Sequence, residues 1–185
     1  MDTKTVAVIT VFAALTIALN LSPVKIPAPY APYLIYQLWE IPIVAAFLLY
    51  GWRVGLLIAI INTLILIIVF PGVLLTGPLY NLAAVLSMLL GIGIIVRVFH
   101  RRSGSHEILT PVSLTISGII FRVGIMSLVN WVFLRFPPPF GFNLPETAIL
   151  VSLPLIAVFN ATLTLYTIPT GYVAARVIKS RIEPV

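Results

Sequence analysis

The stretch TPVSLTISGIIFRVGIMSLVNWVFL, Thr110–Leu134, decides the class of this fold. It carries a single charge, Arg122, in an apolar run longer than the roughly 20 residues a helix needs to cross a bilayer. An arginine near mid-membrane costs roughly 2.5–3.5 kcal/mol on insertion scales unless it is paired or wetted. Asn130 in the same stretch and Asn160 in the last apolar segment add two more polar interruptions. The pattern predicts a bundle of membrane helices with a polar pocket or relay inside it.

Working outward, hydropathy and breakers predict six spans: Lys4–Leu21, Leu34–Tyr50, Arg53–Phe70, Leu79–Phe99, Thr110–Leu134 and Thr147–Ile178. Pro23, Pro27, Pro29 and Pro32 follow the first span, Gly51 the second, and Pro71-Gly72 with Gly77-Pro78 the third. Pro137-Pro138-Pro139 and Gly141 follow the fifth, and Pro169 with Gly171 predict a kink or an extension in the sixth. Residues 1–185 read as one transmembrane domain with no soluble linker and no internal repeat. The first span is as long as a full crossing and lacks a small-x-small cleavage site, so it is expected to be retained.

Composition agrees. The chain is 61% hydrophobic and 9% charged, against about 25% charged in a soluble domain. Its mean hydropathy is +1.15. It has no cysteine, which removes disulfides, Fe–S clusters and thiolate metal sites. The formal charge of +6 does not mark a nucleic-acid binder, because it is gathered at helix ends. With the N-terminus inside, Lys4, Arg53, Arg97, Arg101, Arg102, Arg176, Lys179 and Arg181 fall on the inner side. Only Lys25 and Arg135 fall outside, so both termini are expected in the cytoplasm of a multi-pass cell-membrane protein.

The outer loops are aromatic and Pro-rich. SPVKIPAPYAPYLIYQLWE carries Tyr30, Tyr33, Tyr36 and Trp39, and RFPPPFGFNLPE carries Phe136, Phe140 and Phe142. Such rings form an interfacial belt or a lid that stacks on a flat ligand. Arg122 and Asn130 stand eight positions apart, about 80° around a helix, and need not share a face. Asn130 and Asn160 are expected to face one cavity from neighbouring helices. Arg122 either holds helices together, by donating to Asn62, Thr162 or backbone carbonyls, or contacts ligand. Asn62 reads as an interhelical hydrogen bond. Glu40, before Pro42, is either an interfacial carboxylate or a ligand acceptor.

Catalytic patterns are absent. The acids are Asp2, Glu40, Glu107, Glu146 and Glu183, and His100 and His106 flank a basic loop. No HExxH, GxSxG or P-loop occurs, so no enzyme, metal or cofactor is expected, and active transport would need an outside energy source. On helix 1, Ala14 and Ala18 form a small-xxx-small step, with Ala7 two turns before Ala14, a stripe that lets another helix approach closely.

These residues resemble the substrate-binding S components of energy-coupling-factor (ECF) vitamin transporters. Ala14–Ala18 matches their AxxxA stripe, and Tyr36-Gln37-Leu38-Trp39-Glu40-Ile41-Pro42 through Ala45–Gly51, with Asn62, resembles their helix 2 and 3 run. Thr76–Ala83, including Tyr80 and Asn81, resembles the start of helix 4 in the riboflavin branch, where Asn81 replaces the usual Glu. Asn130-Trp131 with Pro137, and Phe159-Asn160, resemble the helix 5 and helix 6 motifs. The resemblance implies a compact bundle of six transmembrane helices. It implies a vitamin pocket formed by Tyr36, Trp39, Glu40, Tyr80, Asn81, Arg122, Asn130 and Asn160, with riboflavin favoured. It also implies docking through Ala14 and Ala18 onto a T transmembrane subunit driven by two ATPase subunits. Leu163 stands where the riboflavin branch usually has Lys, so either Arg122 supplies that charge or the ligand differs. The alternatives are an S component for another vitamin or precursor, and a membrane scaffold or assembly protein whose polar residues are interhelical glue.

Overall fold

A computed structural model describes residues 2–70, 75–100 and 109–182. The Pro71-Gly72 join and the segment holding Arg101, Arg102 and His106 lie outside the described residues. The element order is α1 (Thr3–Leu21), β1 (Ile26–Ala28), β2 (Ala31–Tyr36), α2 (Glu40–Tyr50), α3 (Trp52–Val69), α4 (Thr76–His100), α5 (Leu109–Phe133) and α6 (Glu146–Ile182). Five of these helices are long and apolar enough to cross a membrane, and the chain is a multi-pass membrane protein.

The remaining, shorter helix, α2, differs from the sequence expectation. Leu34–Tyr36, read as the start of a span, belongs instead to an antiparallel hairpin that pairs Ile26 with Tyr36 and Pro27 with Ile35. Prolines at 27, 29 and 32 favour extended backbone and are tolerated because both strands are edges. The helix begins only at Glu40, which places Pro42 in the first turn, where its missing N–H costs nothing. At 1.5 Å per residue, α2 is roughly half as long as the bilayer core is thick. Its first turn therefore opens well inside the bundle, and the hairpin occupies the other half of that position.

At the far end of α2, Gly51 turns the chain into α3 with φ +87° and ψ −177°, a conformation essentially reserved for glycine. Its N–H donates to the Phe47 carbonyl at 2.8 Å. The N-terminus of α1 is capped by Asp2, whose carboxylate accepts from the Thr5 amide at 3.1 Å; the Thr5 hydroxyl first, and this amide bond after it, hold the Asp2 carboxyl below its ordinary value. α6 runs unbroken through Pro154 and Pro169 to Ile182, so of the kink or extension expected at Pro169 the helix takes the extension.

α2, α3, α4, α5 and α6 close into a ring, each packing on the next and α6 returning to α2, while α1 flanks α2 and α3. Ile43, Val44 and Phe47 of α2 meet Ile58, Val85, Met88, Leu89, Ile92, Leu114 and Ile168 from the surrounding helices. In lipid this packing, rather than escape from water, holds helices together. Small residues make it close. A Cβ on Gly91 would lie 2.6 Å from the Ser117 carbonyl oxygen, and Ser117 Oγ donates to the Gly91 carbonyl at 2.9 Å, locking α4 to α5. Large apolar side chains such as Val11, Ile68, Ile120, Leu128 and Val151 face outward, as lipid contact requires.

Candidate ligand site

The half-length of α2 positions the polar centre. Its first-turn acid, Glu40, comes level with the middle of α5, where Arg122 points inward. The two form a bidentate ion pair: Arg122 Nη2 donates to Glu40 Oε1 at 2.9 Å, and Nη1 donates to Oε2. Arg122 Nε donates to Asn160 Oδ1 at 2.8 Å, and Nη1 also faces Met88 Sδ at 3.6 Å. Both charged side chains are almost sealed, at 3% and 2% exposure. Four helices (α2, α4, α5 and α6) therefore meet at one guanidinium. A planar fork suits this work, since it matches a carboxylate bidentately and keeps its charge in any environment.

This arrangement corrects the partners that the sequence suggested for Arg122, namely Asn62, Thr162 or backbone carbonyls. It also removes Glu40 from the interface, where a snorkelling carboxylate was one reading. Asn160 is buried and interior, as expected. Because Arg122 donates to its oxygen, the Asn160 amide is oriented with Nδ2 as the donor, directed at the Ile156 carbonyl at 2.9 Å. Asn130 does not join the cluster: its Nδ2 donates to Met126 O of its own helix at 2.7 Å. It is buried about two turns, roughly 12 Å, along α5 from Arg122 on the side of the hairpin. Asn62 makes the expected interhelical bond, accepting from Asn20 Nδ2 at 3.2 Å, and its own Nδ2 is buried without a partner.

The hairpin is pinned to α6 by tyrosines. The Tyr36 ring lies 4.9 Å from Phe159, and its hydroxyl lies 2.6 Å from Tyr30 Oη and 2.7 Å from Thr162 Oγ1. Thr162 spends its own proton on the Val158 carbonyl at 2.8 Å, so the chain of donors runs Tyr30 to Tyr36 to Thr162. Tyr166 Oη adds a bond to the Gln37 carbonyl at 2.6 Å. A shallow cleft of about 380 Å³ runs along this seam, lined by Ile26, Tyr36, Leu38, Thr162 and Tyr166. Sequence reasoning passed over Tyr166 and Met88, which look like ordinary core residues at helical spacing.

The other expected site residues scatter. Trp39 is buried in the main core rather than presented to a ligand. Tyr80 Oη reaches the Phe140 carbonyl at 3.4 Å and Thr76 Oγ1 the Pro139 carbonyl at 3.1 Å, tying the α5–α6 loop to the start of α4. Asn81 beside it is exposed, as are Phe136, Phe140 and Phe142. Ala14 and Ala18 are exposed on the outer face of α1. Two larger clefts, of about 650 and 670 Å³, lie at the opposite end of the bundle, beside Lys4 and Arg53 and beside Trp52 and Arg97. Neither contains a member of the polar centre, so size alone does not locate the site.

No protein-family model matches the chain, and no curated protein matches it. Among solved structures it is similar to the S component of a bacterial ECF transporter, with a TM-score of 0.77, 20% sequence identity, and 99% of each chain covered. At that identity the likeness speaks for the fold: the chain has the fold of an ECF S component over its whole length.

Proposed function

We propose that this chain is the substrate-binding S component of an ECF-type importer, taking a small vitamin from the outer side of the membrane. Riboflavin is the first candidate. The observation that carries the reading is the shared fold across 99% of both chains. The aromatic hairpin and the α5–α6 loop lie at one end of the bundle, and the lysine and arginine bias makes that end the outer one, with both termini cytoplasmic. Asn130 and Asn160 would hydrogen-bond the ligand, Tyr36 and Tyr80 would flank it, and Arg122 with Glu40 would hold Asn160 in place. Asn81 and Trp39 are weaker members, one exposed and one packed in the core.

The role is non-catalytic and needs partners. A T transmembrane subunit with two ATPase subunits would supply the energy, and the exposed Ala14 and Ala18 would form the seat for the T subunit. A scaffold or assembly role is the second reading, favoured by one observation: all three guanidinium nitrogens of Arg122 donate to protein groups. Native mass spectrometry with an absorbance spectrum, on protein purified gently from a vitamin-replete host, tests the choice. A bound flavin supports the riboflavin reading. An empty protein that gains no stability from added flavin sinks it and directs a screen of other micronutrients.

A further inference from the structure

We propose that the interior of this protein accepts an uncharged ligand and rejects the phosphate ester of the same molecule. The inference rests on the vitamin-binding reading above and names the charge of what that site takes. Glu40 and Arg122 are the only charged side chains among the buried described residues, and they neutralise each other in a bidentate pair. The remaining Arg122 donor contacts go to Asn160 and Met88, so no cation is held in reserve for an anionic ligand. Leu163, one turn from Asn160 on α6, is buried and apolar. The Asn160 amide is fixed as a neutral donor by Arg122.

The cations nearest the hairpin end do not reach inward either. Arg135 is exposed and folded back on its own helix, donating to the Trp131 carbonyl at 3.1 Å with its guanidinium carbon 4.8 Å from the Trp131 ring. Lys25 stands exposed before β1. A phosphate drawn into the bundle would meet only neutral donors, or would have to take Arg122 from Glu40 and leave that carboxylate buried and unmatched. Either route weakens binding about a hundredfold or more, the usual consequence of stranding one member of a buried pair.

The test compares riboflavin with flavin mononucleotide, its phosphate ester, by equilibrium binding to the full chain in lipid nanodiscs. Wild-type protein is expected to bind riboflavin at least a hundredfold more tightly. Ester affinity within tenfold of riboflavin overturns the inference, because the phosphate then rests in water at the hairpin end. No binding of either flavin overturns the riboflavin reading, and this inference with it. In Glu40→Gln, Arg122 becomes an unmatched charge, and the preference for riboflavin is expected to shrink by tenfold or more. The double variant Glu40→Gln/Arg122→Gln restores neutrality and should restore the discrimination. A Glu40→Gln protein that folds, binds riboflavin and keeps the full preference contradicts the charge-balance argument. The wild-type comparison stands even where that variant fails to fold.

Discussion

Splitting the Glu40–Arg122 pair should cost far more than deleting it. Both side chains are nearly sealed and bonded through the two terminal guanidinium nitrogens. Removing one partner of such a pair typically costs about 3–5 kcal/mol, because the other charge is left buried alone. The two single variants are not equivalent. In Arg122→Met the stranded Glu40 can shed its charge by taking a proton, which places the loss near 3 kcal/mol. In Glu40→Leu the stranded guanidinium cannot deprotonate, which places the loss near 5 kcal/mol.

The double variant Glu40→Leu/Arg122→Met strands no charge. What remains is the Asn160 oxygen, deprived of the Arg122 Nε donor, at roughly 1–3 kcal/mol. Additive losses would reach about 8 kcal/mol, so the cycle should show a coupling of roughly 5–7 kcal/mol. Reversible unfolding in mixed detergent micelles, read by Trp fluorescence and circular dichroism, measures all four proteins. A double variant as damaged as the sum of the singles would refute the reasoning, as would single losses below about 1 kcal/mol.

Three further outcomes follow from the geometry. Gly91→Ala should destabilise the bundle by about 1–3 kcal/mol or more in the same unfolding assay, since its methyl would meet the Ser117 backbone carbonyl, which cannot swing aside. Tyr36→Phe keeps the ring against Phe159 but removes the hydroxyl between Tyr30 and Thr162; limited proteolysis should cut the Ile26–Tyr36 hairpin faster, at a cost of about 0.5–1.5 kcal/mol per lost bond. Ala14→Leu and Ala18→Leu alter only the exposed face of α1, so unfolding should change by less than about 0.5 kcal/mol. Co-purification with the T subunit should nevertheless be lost, and unchanged co-purification would remove α1 as the seat.

Much of this architecture can be read from the chain. Long apolar runs broken by Gly51 and Pro137–Pro139 locate five long helices and most of their joins, whereas Gly77-Pro78, read as part of a join, falls in the first turn of α4. The start of α2 is harder because hydropathy does not distinguish Leu34–Tyr36 as strand from helix. The discriminating signal is Pro42, which belongs in a first turn and so places the helix start near Glu40. The ion pair crosses 82 positions, and helical phase alone does not bring its partners together. Counting does: the predicted spans contain one acid, Glu40, and one internal base, Arg122, and two opposite charges inside an apolar bundle have to meet. Asn130 shows the converse. Its amide side chain can satisfy itself on the preceding turn, so a polar residue inside a span does not by itself declare a partner.

The central claim is that Asn130 and Asn160 serve a ligand rather than only the bundle's own hydrogen bonds. Riboflavin titration of wild-type, Asn130→Ala and Asn160→Ala proteins in nanodiscs, with unfolding measured on the same samples, tests it most directly. The account predicts tight binding to wild type and at least tenfold weaker binding to each variant, with the fold retained. Variants that lose stability while riboflavin shows no specific effect on any of the three proteins would contradict it and leave the scaffold reading in its place.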